Sequence, residues 1–252
     1  MPNSRDIPWK RIAVEGVAIV ASILLAFAID AWWDERQERI EEKEVLESLY
    51  IEFVANQDET ASVILSHELA VQSVATLMEL RQEEILSLSA EEVAQHMRFF
   101  ANPRTFDAVR GSVDALASAG KLGILRDREL REALTTFVNI LDDAVEERNY
   151  LAQTSMTVWN EVARNGGPWR TRAGSVTAEN CVASPQHRNC YINDALIYLP
   201  AATPQDLLRL SNNTVLMGYV NQNKINAARY ASEVRQAEMQ IEIILKLLED
   251  NL

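Results

Sequence analysis

Residues 12–33 read IAVEGVAIVASILLAFAIDAWW, and Glu15 is the only charged side chain between Ile12 and Ile29. As a helix rising about 1.5 Å per residue this stretch is about 33 Å long, enough to cross a hydrocarbon core of about 30 Å. Trp9 on one side and Trp32 and Trp33 on the other suit the two interfacial belts. A transmembrane helix in a lipid bilayer is therefore predicted.

The flanks predict its direction. Arg5, Lys10 and Arg11 precede the span, whereas Asp34 to Glu47 is mostly acidic, so the N-terminus is expected in the cytoplasm. Residues 1–11 then form a cytoplasmic tail, 12–33 the span, and 34–252 a domain on the far side. In a bacterium that is a single-pass inner-membrane protein with a periplasmic domain. The rival reading is a cleaved signal peptide, because Ala26-Phe27-Ala28 fits a small-residue cleavage pattern. Glu15 inside the apolar run, and a helical pattern that continues past the cut, favour a retained anchor.

Composition limits what the domain can be. With 252 residues and 48% hydrophobic content the chain can bury a substantial core. A net charge of −13 argues against nucleic acid and against docking on anionic lipid, both of which need clustered Lys and Arg. Only 8 glycines and 7 prolines favour long helices over a many-turned β protein.

The helix after the span carries Leu46, Leu49 and Phe53 on one face, continued by Val63, Val71, Val74 and Met78. Ser89 and Glu92 form a capping box for a short helix that must stop near Asn102, before Pro103. A second short helix is expected from Arg104 to Ala119, closed by Gly120. Asp127 caps a long helix on Leu130, Leu134, Phe137, Leu141 and Leu151, ending at Arg164 before Gly166 and Gly167. Residues 166–202 read as a loop-rich insert with a small hairpin. Thr203, Pro204 and Asp206 open a last helix expected to run to the C-terminus on Ile241, Leu245, Leu248 and Leu252. The predicted fold is all-α: a transmembrane helix continuing into an antiparallel helical bundle with a disulfide-bearing insert.

Two stretches, GVAIVASILLAFAIDAWWDERQER (residues 16–39) and SVDALASAGKLGILRDRELREALTTF (residues 112–137), resemble an uncharacterised bacterial family of single-pass, N-terminally membrane-anchored helical proteins. The resemblance covers about Trp9 to Arg39 and Ser112 to Phe137. It implies topology and no activity, so no catalytic residue is carried over.

Inside the span, Glu15, Ala18, Ser22, Ala26 and Asp30 recur at spacings of three or four, on one face of a helix. Small residues let membrane helices approach closely, and acids at the ends of such a seam avoid lipid by facing another helix or water. The seam reads as a helix–helix interface. Two alternatives stand beside it: the acids simply sit at headgroup depth, or several copies line a cation pore.

Cys181 and Cys190 are expected to form a disulfide in an oxidising compartment. Together with His187 and Asp194 they could instead ligate zinc, although paired CxxC knuckles are absent. His67, along the first long helix with Asn56 and Thr60 and on or near the otherwise apolar stripe, reads as a core or boundary histidine, or as a pH-sensitive contact. His96 is expected to be exposed. Asn221, Gln222, Asn223 and Asn226 resemble a buried hydrogen-bonding layer that sets register in a bundle.

Nucleophile elbows, phosphate-binding glycine loops and HExxH are all missing from the sequence. An enzyme is not expected, and no cofactor is implied. Two function classes remain: an interaction or scaffold module that self-associates or docks on a partner membrane complex, and a ligand-sensing bundle that signals through a partner. A buried polar cavity would favour the sensor. An exposed apolar strip continuing the membrane seam would favour assembly.

Overall fold

The structure, a computed structural model, describes residues 9–167 and 202–252. Helix α1 (Trp9–Glu79) is 71 residues long, about 107 Å at 1.5 Å per residue. Among the described residues it is the one helix long and apolar enough to cross a membrane. Residues 15–40 are all exposed, and the buried face starts at Leu46. The sequence-predicted continuation of the span into the domain is therefore one unbroken helix.

Above that point the helices are built on heptads. In α1 the buried face carries Leu46, Leu49, Phe53, Asn56, Thr60, Val63, His67, Ala70, Val74 and Leu77, at spacings alternating three and four, with Ile64 and Ser73 buried beside it. The apolar stripe thus runs over Ala70, Val74 and Leu77, not over Met78, which is exposed. Helix α5 (Arg128–Arg164) follows the same rule from Leu130 through Leu134 and Phe137 to Leu151, Ser155, Val158 and Val162. The last helix, α7 (Thr214–Asn251), does so from Leu216 to Leu248, with Asn226, Ala231 and Leu245 buried on a flank. A sustained seven-residue repeat keeps one seam facing its neighbours if the helices coil gently left-handed.

Between α1 and α5 the chain returns down α1 as far as Glu41. Helices α2 (Gln82–Leu86) and α3 (Ala90–Arg98), a non-helical strap at 101–110, α4 (Gly111–Ser118) and a 3-10 turn (Leu122–Ile124) make this limb. Its path is fixed by pairs in descending order: His96 with Ser73, Asn102 with Ser66, Val109 with Asn56, Ser112 with Glu52, Lys121 with Glu41. The helix predicted for Arg104–Ala119 is thus shorter, since its first seven residues are strap. Helix α5 then rises. Helix α6 (Pro204–Ser211) and α7 complete the fold, with α7 descending: Asn213 meets Asn165 at one end and Asn251 meets Asp127 at the other. The architecture is an up-down-up-down bundle whose second limb is irregular.

The single last helix predicted from Thr203 is two helices. Asn213 accepts from the Val215 and Leu216 N–H groups and starts α7 anew, while Thr203 and Asp206 form the expected capping box of α6. Ser89 and Glu92 cap α3 reciprocally, and Asp127 caps α5, as the sequence predicts. No strand occurs among the described residues. The disulfide, its cysteines and the hairpin expected in the insert lie outside them.

Two apolar clusters form the core. One, nearer the span, gathers Leu49, Phe53, Phe137, Leu151, Tyr230 and Ile241; the other gathers Val74, Phe100, Val158, Leu207, Leu216 and Val220.

Candidate functional site

A belt of buried polar side chains lies where these clusters meet. Helix α1 supplies His67, α5 supplies Ser155, and α7 supplies Asn223 and Asn226, each at or beside a heptad position. Asn223 Oδ1 accepts from the Ser155 hydroxyl at 3.0 Å and the Thr154 hydroxyl at 2.8 Å. Asn226 Nδ2 donates to Thr154 Oγ1 at 3.3 Å. Two members of the sequence-predicted asparagine layer are thus buried and paired, while Gln222 is exposed and donates to Asn226 at 3.1 Å. Such groups fix one register, because any slip leaves them buried without partners.

The strap crosses this belt and is hydrogen-bonded to the long helices through their side chains and the Ser66 carbonyl. Asn56 bonds both backbone groups of Val109, the Tyr230 hydroxyl accepts the Phe106 N–H at 2.8 Å, and Asn102 Nδ2 donates to Ser66 O at 3.1 Å. His67 has no exposed surface; its Nε2 lies 2.9 Å from Arg104 O, and Tyr230 sits edge-on to the ring at 5.5 Å. Burial pushes the His67 imidazole below the ordinary histidine range. His96 is half-buried rather than exposed, because Ser73 accepts its ring N–H with the backbone oxygen at 3.1 Å. It too is held low by burial. Below the strap, Glu52 of α1 caps α4 by accepting the Ser112 N–H at 2.7 Å, a role no side chain next to α4 fills.

The predicted membrane seam is a different surface. Glu15, Ala18, Ser22, Ala26 and Asp30 all lie on the exposed part of α1. The Ser22 hydroxyl donates to Ala18 O at 2.8 Å within its own helix, so what Ser22 offers a neighbour is small size. Ser22, Ile40 and Asp58 are eighteen residues apart, five turns at about 3.6 residues per turn, and share one azimuth. Ile51, Val54, Leu65 and Leu69 fall within about 40° of that line, whereas core-facing Leu49 lies about 180° from it. All five apolar residues are exposed, Ile51 by 70% and Leu65 by 55%. Sequence reading missed this strip because the heptad face opposite dominates; the eighteen-residue spacing from Ser22 was its signal. Glu44, Glu47 and Asp58 interrupt it.

At the base of the bundle the acids after the span are matched by cations. Arg126 lies 3.4 Å from Glu42, 3.7 Å from Glu35 and 3.8 Å from Glu38, and Lys121 is 2.9 Å from Glu41. Arg39 pairs with Glu35 and Lys43 with Glu47 along α1. Holding this charge in exposed pairs lowers the net negative charge of the collar, and such pairs contribute little to stability.

Among the described residues no group of three His, Cys, Asp or Glu side chains is placed to hold a metal. Cys181, His187, Cys190 and Asp194 fall outside those residues. A hollow of about 30 Å³ under Phe106, between α5 and α7, is the size of a water. The chain matches no family model, no curated protein and no solved structure.

Proposed function

We propose that this protein is a membrane-anchored helical interaction module that associates with a second copy of itself along the outer face of α1. The observation that carries this is the alignment of the exposed strip Ile40, Ile51, Val54, Leu65 and Leu69 with Ala18, Ser22 and Ala26 on one side of one unbroken helix. Inside the bilayer, close packing of small residues drives the contact. Outside it, burial of the strip adds to it, at about 25 cal/mol per Å² of apolar surface.

In this reading the N-terminus is cytoplasmic, the bundle is periplasmic, Cys181 and Cys190 are bridged, and the chain is a member of the single-pass family it resembles. Its role is assembly and not catalysis.

The experiment is purification of the full chain in a mild detergent, with measurement of its mass and identification of what accompanies it. A multiple of the chain mass supports the proposal. A chain that stays monomeric, or pairs only with other proteins, overturns it.

A further inference from the structure

We propose that His67 is an acid-sensitive latch: taking up a proton, it frees residues 102–106 of the strap from α1, while Asn56 keeps Val109 in place. Nothing in this depends on self-association.

The geometry defines the neutral form. Arg104 O can only accept, so Nε2 at 2.9 Å carries the ring proton and donates it. That leaves the Nδ1 lone pair toward Asn102 Nδ2, which donates to it at 3.4 Å. Asn102 Nδ2 also donates to Ser66 O and, at 3.0 Å, to Ser66 Oγ. A second ring proton would sit on Nδ1 and point at this amide donor. The clasp therefore fits one protonation state, and the other turns an acceptor into a clash of donors.

The surroundings add no counter-charge. From the strap, Arg104 presents a cation that itself leans on Glu59 at 3.5 Å, and Asp107 stands near Tyr230. From α5, Arg148 faces Tyr230, and from α7, Arg235 is taken by Glu68 of α1. None of the described acidic side chains pairs with His67. The ring is wholly buried, so an imidazolium there meets desolvation and the Arg104 charge, offset only in part by the hydrogen bond to the Arg104 carbonyl.

The strap is built to yield locally. Residues 101–110 have no secondary structure of their own, and contacts at Asn102, Arg104 and Phe106 all converge on His67 or on Tyr230 edge-on to it. Asn56, eleven residues below His67, bonds Val109 through an amide that does not titrate. His96 differs: its Nδ1 contacts with Ser73 survive protonation of the other ring nitrogen.

Amide hydrogen exchange on the full chain in detergent micelles, read as protection against the intrinsic rate from pH 7.5 to 5.0, tests the latch. Protection at the Phe106 N–H should fall about tenfold per pH unit once His67 titrates, while Val109 and the α7 amides hold theirs. His67→Gln, whose amide can donate and accept but not charge, should abolish the fall, and His96→Gln should leave it. Should His67→Gln fail to fold, the wild-type ring is followed by NMR: strap resonances must shift with the His67 titration. Equal protection of Phe106 and Val109 at every pH, a fall that persists in His67→Gln, or a ring that titrates without moving the strap would overturn the proposal.

Discussion

The side chain of Asn56 makes both backbone hydrogen bonds of Val109, donating from Nδ2 to the carbonyl at 2.8 Å and accepting the N–H on Oδ1 at 2.7 Å. One amide thus does for the strap what a neighbouring strand would do in a sheet. Removing it leaves two backbone groups without partners in a part-buried setting. Asn56→Ala should cost about 2–4 kcal/mol in a denaturant titration. Asn56→Leu should cost a similar amount, since it restores bulk but no bond. A leucine variant as stable as the parent would show that packing, and not the paired bonds, holds the strap.

Phe53 of α1 and Phe137 of α5 meet edge to face with ring centroids 5.0 Å apart, both fully buried. Each single change to alanine should destabilise by about 3–5 kcal/mol. The double variant should lose about 0.5–1.5 kcal/mol less than the sum, the coupling of an aromatic pair. Strict additivity in the cycle would mean that the two rings do not support each other across the bundle.

Stability should depend on pH through His67. Its folded-state basicity is lowered by burial, from an ordinary value of 6.5, so the unfolded chain binds the proton first. The contribution is complete above about pH 6.5 and is lost as pH falls toward the lowered folded value, at no more than about 1.4 kcal/mol per unit. Asp127, held low first by the Asn251 amide, and Glu92, held low first by the Ser89 N–H, lose their contributions only below the ordinary carboxylate range. A denaturation series between pH 7.5 and 5.0 therefore isolates the histidines. His67→Gln should reduce its slope, leaving the part that His96 contributes, and an unchanged slope in that variant would remove His67 from the account.

Much of this architecture is legible in the sequence because its signals are local. The apolar run to Trp33 is contiguous and marks a helix long and apolar enough to cross a membrane, while the Ser89–Glu92 box, Asp127 ahead of Leu130 and Thr203 ahead of Asp206 each act within four residues and each marks a helix start that the structure contains. The strap is not legible in this way. Its partners are Ser66, His67, Asn56 and Tyr230, between 36 and 124 positions away, and no local pattern announces them. The break at Asn212–Asn213 did have a local sign, an asparagine in N-cap position, but the apolar periodicity running through it concealed the start of α7. The outer strip of α1 escaped because exposed apolar residues stand out only once the opposite face is known to be buried.

Topology follows from the basic flank. On the proposed orientation, with Arg5, Lys10 and Arg11 on the cytoplasmic side, a reporter fused after Leu252 should be active only when it requires export. Activity of a cytoplasm-dependent reporter at that position would reverse the orientation.

The central claim is that α1 joins two copies along the face that runs from Ala18 to Leu69. Its most direct measurement is the mass of the full chain in mild detergent for three forms: the parent, a variant with Ala18, Ser22 and Ala26 changed to leucine, and one with Ile51 and Leu65 changed to glutamate. The account predicts a lower mass in both variants, with Val20→Leu and Ile23→Leu, on another face of the same span, leaving the mass of the parent. Equal masses in every form would contradict it.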